Sequence, residues 1–316
     1  MADTPASSPQ ASPATPPGQA PAAAAPPGAG FPRPPLHTGP ITALQFIERI
    51  RSKAALPTGP DIEDYVVAGD PTTGITGIAT TAMATLDCLK AAAASGKNLI
   101  VTLEPTFWSD NDNLDRLEGD ALFKAKRDFI REKNLVCFEL HDHWSAGGPA
   151  GGPSGISVGM SKELGWEGYV IDPANPTSFK LPPTTLLDLA KELSKKLNDR
   201  NMRIVGDPKL AVSRVAAKWG NVSQMPGIHL LNGPVDVVIV GYTHEWETVE
   251  YAQDMIAAGG KKGLILLGEV KSEQAGMKYC AEWLKSFITE VPVDYISIVD
   301  PYWNPGHPVF EINTKM

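Results

Sequence analysis

Gly69-Asp70-Pro71-Thr72-Thr73-Gly74-Ile75-Thr76-Gly77-Ile78-Ala79 recurs 137 residues later as Gly206-Asp207-Pro208-Lys209-Leu210-Ala211-Val212-Ser213-Arg214-Val215-Ala216. The Gly-Asp-Pro start, the β-branched positions and the closing alanine coincide, which predicts a tight turn leading into a strand in each of two related units. A second comparison sets Leu89 through Pro105 beside Asp254 through Val270. Each stretch ends a helix in small residues, turns at Gly96 or at Gly259-Gly260, and enters an apolar strand, so that Glu104 falls opposite Glu269. The offset grows to 165 residues here, which predicts an insertion in the second unit around Pro226 to Gly233.

Around these anchors the pattern alternates between strand and helix periodicity. Thr42 and Gln45 have capping-box spacing ahead of Leu44, Ile47 and Ile50 on one helical face, so a first helix is expected from Thr42 to about Ala54. Short strands at Ile75 to Thr80 and Asn98 to Thr102 flank an alanine-rich helix that Gly96 closes. Strand, helix, strand with short links reads as a crossover unit of a largely parallel sheet. Further elements are a charged helix at Asp120 to Lys133, strands at Leu135 to Leu140, Met202 to Val205, Val235 to Val240 and Leu264 to Leu267, and helices at Thr184 to Asn198 and Thr248 to Ala258. A last helix at Gly276 to Ile288 and a strand at Tyr295 to Val299 finish the series. The expected fold class is α/β, with two related α/β lobes, 41–145 and 201–316, joined by loops and helices over 146–200. Residues 1–40 hold 12 of the 29 prolines and 10 alanines and read as an extended tail.

Composition removes several function classes. A formal net charge of −8 disfavours attraction to nucleic acid or to an anionic membrane face. No run approaches the ~18 apolar residues of a membrane span, and no secretory signal pattern begins the sequence. Cytoplasm is the default location, with an exported form lacking its leader left open. Cys88, Cys137 and Cys280 are odd in number, widely spaced and set in apolar stretches, so buried thiols are expected. The glycine- and proline-dense loop Gly147 to Gly155 lacks the Gly-Lys-Ser or Gly-Lys-Thr of a phosphate loop.

Polar chemistry gathers after apolar strands, where ligands of open α/β sheets collect. Glu104 and Glu269 both stand there. A carboxylate in that position is costly to desolvate without a cation or hydrogen-bond donors, so it either shares a metal ion or caps the next turn. Glu273 lies four residues beyond Glu269. In Leu140-His141-Asp142-His143-Trp144 an extended backbone would project His141 and His143 to one side and Asp142 to the other, as metal ligands or with Asp142 orienting an imidazole. Glu245 and Glu247 begin a helix, where its dipole favours acids without any catalytic role. His37, His229 and His307 are isolated in loops or the tail. Neither a Gly-x-Ser-x-Gly elbow nor His-Glu-x-x-His occurs.

Taken together, Gly-Asp-Pro, Thr-Gly-Ile-Ala-Thr-Thr, Asn98 through Trp108, His141-Asp142-His143-Trp144, Glu245 through Tyr251 and the Gly-x-x-x-Ser-Glu of Gly268 to Glu273 resemble the bacterial Nif-three-like dinuclear metal-centre hexameric proteins, also called GTP cyclohydrolase I type two-like. The resemblance runs from about residue 41 to the end. It implies two related lobes, a metal pair in the cleft between them, and a ring-shaped homohexamer. This chain departs at several ligand positions. Leu103-Glu104 replaces His-His or His-Glu, Glu269 replaces a histidine, Ser145 stands for an acid, and Tyr242 stands for a glutamate, whereas the acid at Glu273 is kept.

Carboxylates in place of imidazoles shift preference toward harder ions such as manganese or magnesium and away from zinc; iron is a further candidate. The expected ligands are Glu104, Glu269 and Glu273 with help from His141, Asp142 or His143, holding one divalent metal ion. The expected activity is hydrolysis of a small, nucleotide- or heterocycle-like substrate by a metal-activated water, with His141 or His143 carrying the proton. The alternative is a non-catalytic ring-forming or ligand-binding protein, which Leu103 favours.

Overall fold

The structure, a computed structural model, describes residues 40–54, 64–109 and 114–305. The expected tail up to Gly39, with His37, and His307 lie outside the described residues. In chain order the elements are α1 (Ala43–Ala54), β1 (Val66–Ala68), β2 (Ile78–Thr81), α2 (Leu86–Ala94), β3 (Leu99–Thr102), α3 (Ala121–Glu132), β4 (Val136–Glu139), α4 (Asp142–Ser145) and α5 (Gly155–Glu163). There follow β5 (Ser178–Thr185), α6 (Leu186–Leu197), β6 (Arg203–Val205), β7 (Ala211–Asn221), α7 (Gln224–Asn232), β8 (Val237–Tyr242), α8 (Glu250–Ala257), β9 (Gly263–Leu266), α9 (Glu269–Lys285) and β10 (Val293–Tyr295).

Two five-stranded sheets form, in the orders β1-β4-β3-β2-β10 and β5-β7-β8-β9-β6. In the first sheet β4, β3, β2 and β10 are parallel and the short β1 closes one edge antiparallel to β4; in the second β7, β8 and β9 are parallel, with β6 antiparallel on β9 and β5 antiparallel on β7. The strands β3, β4 and β9 are buried at every residue because helices cover both faces. Inward residues such as Ile78, Val101, Val215 and Val237 join one large core with α5 and α9. Outward residues pack beneath α2 and α3 on the first sheet and beneath α7 and α8 on the second.

The order α-β-β-α-β-α-β-α is read twice along the chain, from α1 and again from α6. Its first turns share their hydrogen bonds. The Asp70 carboxylate accepts from the Thr72 N–H at 2.8 Å and Asp207 from the Lys209 N–H at 2.8 Å, an Asx turn in both places. Ala43 and Leu44 at the start of α1 donate to Thr73 and Pro71, as Leu186 and Leu187 of α6 donate to Leu210 and Pro208. The capping box at Thr42 and Gln45 forms in both directions.

This order corrects the second half of the expected repeat. β3 occupies the place of β8, and β4 that of β9, so Glu104 is the counterpart of the segment after Tyr242 rather than of Glu269. Leu89–Pro105 matched Asp254–Val270 because a helix, a glycine turn and an apolar strand recur in every βα unit. The expected insertion at Pro226–Gly233 falls on α7 and its C-cap, Gly233, and α7 takes the place of α2. His229 accordingly lies on a helix, exposed, and not in a loop.

A strand lies where none was expected, and the last strand comes two residues earlier than expected, at Val293–Tyr295 instead of Tyr295 to Val299. β5 arises inside the 146–200 connector, and Pro182 and Pro183 are tolerated there because β5 is an edge strand whose register shifts between Lys180 and Thr184. β10 returns to pair with β2 of the first sheet. The last helix begins at Glu269, seven residues before the expected Gly276, because Lys271, Ser272 and Glu273 are polar yet buried. Its middle crosses α5 at close range, where a Cβ on Gly159 would lie 2.5 Å from the Ala275 carbonyl oxygen. The three cysteines are buried, and no helix among the described residues is long and apolar enough to cross a membrane.

Candidate metal centre

Glu104 leaves the end of β3 with its backbone tied down. Its N–H donates to Ala82 O at 2.9 Å, and its carbonyl accepts from the Thr102 hydroxyl at 3.0 Å. Leu103 just before it is fully buried in the large core. Glu269 opens α9 behind Gly268, whose φ of +85° suits glycine. Glu273 stands one turn further, on the same helix face.

The first turn of α9 lies against backbone stripped of side chains. Gly220 at the end of β7 has φ +73°, and a Cβ there would meet Glu273 Oε1 at 2.2 Å. A Cβ on Gly241 in β8 would lie 2.3 Å from Ser272 Oγ. Ser272 takes advantage of this approach: its hydroxyl accepts from the Gly220 N–H at 2.9 Å and donates to Glu269 O at 2.8 Å.

The result is a group of three carboxylates, Glu104, Glu269 and Glu273, each offering one oxygen within 4.8 Å of the others. At such separations each ionised pair repels by about 3–4 kcal/mol at an effective dielectric constant of roughly 20. Burial, with the charges of Glu104 and Glu269 adding to it, holds the Glu273 carboxyl well above the usual carboxylate range, and Lys218 pulls it back only in part. Glu273 is 7% exposed, and its Oε2 has no hydrogen-bond donor among the described residues. The N-terminus of α9 adds partial positive charge, which tempers the repulsion without neutralising it.

His141, Asp142 and His143 are not part of this group. Extended geometry would have put the two imidazoles on one side, but the backbone turns into α4 at Asp142. His143 is buried and pairs through Nδ1 with the buried carboxylate of Asp64, which also accepts the backbone N–H groups of Asp142 and His143. His141 is about one-third exposed, with Nδ1 3.2 Å from Asp142 Oδ1. Glu245 and Glu247 sit in a π-type turn, Glu245–Val249, that opens α8, matching their structural reading. Glu245 pairs with Arg203 at 2.9 Å and Glu247 with His244 at 3.3 Å.

Sequence reasoning passed over Asp64, which lies just ahead of β1 with no motif around it. It also passed over Lys126. There a signal existed: Phe123, Lys126 and Ile130 fall at helical spacing on one face of α3, and all three are buried.

Fold and site together define an α/β protein of two parallel-cored sheets with an acidic, metal-competent cluster at their strand ends. The chain matches the family model Duf34/NIF3 (NGG1p interacting factor 3) over residues 65–301, and it belongs to that family. Solved structures share the fold at low identity. The Staphylococcus aureus hypothetical protein SA1388 is 16% identical with a TM-score of 0.65, over 84% of this chain and 100% of that one. A Bacillus cereus protein related to NIF3 is 12% identical with a TM-score of 0.67, over 84% and 100%. HcgD from Methanocaldococcus jannaschii, in its reduced form, is 16% identical with a TM-score of 0.55, over 81% and 97%. Comparison with curated proteins finds no match.

Proposed function

We propose that Glu104, Glu269 and Glu273 hold one divalent metal ion and that the protein is a metal-dependent hydrolase of a small molecule. The observation that carries this reading is Glu273, a carboxyl buried beside two other carboxylates, whose Oε2 finds no hydrogen-bond partner among the described residues. The donor set fits a hard cation: three carboxylates and no imidazole suit manganese or magnesium better than zinc. When bound, such an ion supplies Lewis acidity to a water and to the scissile group.

The chain's own residues set the rest. Glu269 and Glu273 are fixed on one helical turn by Ser272 and Gly220, so two of the three ligands move as one body. His141, with Asp142 beside its Nδ1, is the proposed proton carrier at the strand end of the same sheet as Glu104. His143, also expected in that role, is buried against Asp64 and is left out of it. The two lobes, the cleft between them and a homohexamer in the cytoplasm complete the proposal.

A non-catalytic, ligand-binding role is favoured by one observation, the burial of Leu103 where the resemblance calls for a ligand. Metal titration of the EDTA-stripped protein separates the readings, followed by assays against phosphoesters, cyclic nucleotides and heterocycles with and without manganese. Stoichiometric manganese binding lost in Glu273→Gln, with metal-dependent turnover, is expected of the hydrolase. Absence of bound metal after supplementation would sink it, whereas metal binding without turnover of any substrate would favour the second role.

A further inference from the structure

Beside Glu104 lies a cleft of about 270 Å³ whose walls include Met83, Thr106, Trp108 and Lys126. Lys126 enters it from the buried face of α3 and is only 3% exposed. Its ammonium donates to the Thr106 carbonyl and lies 5.1 Å from the Trp108 ring centroid and 5.5 Å from that of Phe107. Among the described residues no carboxylate forms an ion pair with it. A lysine this buried is rarely left without an anion. Burial also pushes its pKa below the ordinary lysine value.

Two neighbours complete the arrangement. Thr106 lines the same cleft, and its buried hydroxyl makes no hydrogen bond among the described residues. Trp108 is 57% exposed with φ +32°, a strained backbone that holds a large indole toward solvent at the rim. Lys126 with its desolvated ammonium, Thr106 with its unsatisfied hydroxyl and the Trp108 indole thus line a space that Glu104 also lines.

We propose that this cleft is the substrate subsite of the metal centre and that it takes a planar, ring-bearing oxyanion, with the oxyanion on Lys126 and Thr106 Oγ1 and the ring against Trp108. The inference rests on the hydrolase reading for its place beside Glu104, and it names the substrate class: an aromatic or heterocyclic carboxylate or phosphate. Lys126 gives charge-assisted recognition, and Trp108 gives stacking that tolerates many rings.

The test is calorimetric titration of the full chain, in EDTA and again in manganese, with benzoate, phenyl phosphate and benzyl alcohol. Either anion should bind about tenfold or more tightly than the neutral alcohol, and which anion binds better tells carboxylate from phosphate. Lys126→Met should abolish the preference while Lys126→Arg keeps it, and Trp108→Ala should weaken all three probes. If Lys126→Met does not fold, Thr106→Val decides, with a loss of about threefold or more expected for the anions alone. Equal binding of anion and alcohol, no binding in either condition, or an unchanged preference in the folded Lys126→Met (or, failing it, Thr106→Val) overturns the proposal. Anion binding without manganese binding would sink the metal reading and leave the subsite standing; manganese binding without anion binding would do the reverse.

Discussion

Gly220 lies so close to Glu273 that a methyl group on it would stand 2.2 Å from the carboxylate oxygen Oε1. The two residues come from different elements, the end of β7 and the first turns of α9, and each depends on the other. Without a side chain at 220, β7 lets the buried carboxyl lie across its backbone toward Glu104. The φ of +73° at Gly220 makes any larger residue strained as well as crowded.

Gly220→Ala should therefore lower stability by about 1–3 kcal/mol and weaken manganese binding by about tenfold or more. Urea unfolding and metal titration of the same preparation check the two effects. Loss of stability with unchanged metal affinity would separate Glu273 from the metal site.

Glu273→Gln turns the electrostatics of the site into a sign test. The folded-state carboxyl titrates well above its ordinary value, for burial first and the two neighbouring carboxylates second. Between the unfolded and folded pKa values the folded protein binds more protons, so metal-free stability falls as pH rises through that window. The glutamine variant removes this penalty. In EDTA at pH 8 its melting temperature should exceed the parent's by at least about 2 °C, and the gap should shrink toward pH 5. In saturating manganese the order should reverse, because a ligand present at about 100 times its Kd adds roughly 2.7 kcal/mol to the parent and little to the variant. A parent that melts above the variant in EDTA at pH 8 contradicts the assignment.

Parts of this arrangement were legible from residues alone and parts were not, for physical reasons. The strands β3, β4, β8 and β9 announce themselves as apolar runs because helices cover both faces of their sheets. The Gly-Asp-Pro turns read correctly in both halves because the Asx hydrogen bond and the glycine conformation are local. The pairing of Glu104 with Glu269 read wrongly because nothing local distinguishes one βα unit from the next; only strand order assigns β3 to β8. The start of α9 was hidden because Lys271, Ser272 and Glu273 are polar residues with tertiary partners, Lys271 reaching the Asn198 carbonyl at the end of α6. The three glutamates were nameable as ligands, but their convergence is tertiary, and so is the removal of His143 to Asp64.

Leu103→His is the obvious attempt to restore the ligand that the resemblance implies, and the structure predicts that it fails. Leu103 is fully buried in the central core, so imidazole there loses apolar packing and buries a polar ring without a partner. A loss of about 2–4 kcal/mol is expected, with no gain in metal affinity, while Leu103→Met should cost under about 1.5 kcal/mol. Thermal melts and manganese titrations of both variants decide. A folded histidine variant that binds a second metal ion would show that β3 can turn its end outward.

Asp64 belongs to a buried pair apart from the three glutamates. Its carboxylate is fully buried, pairs with His143, and accepts the two backbone N–H groups that open α4. Asp64→Ala leaves those donors buried without their acceptor, a change of about 3–5 kcal/mol for a broken buried pair, and should show as a large drop in the urea midpoint. Manganese affinity of the protein that remains folded should stay within about twofold of the parent, since the three glutamates are held by β3, β7 and α9 and not by α4. His141→Ala should spare metal affinity likewise, yet lower metal-dependent turnover. If either variant, still folded, loses metal affinity tenfold or more, then the segment His141–His143 reaches the ion and belongs among its ligands.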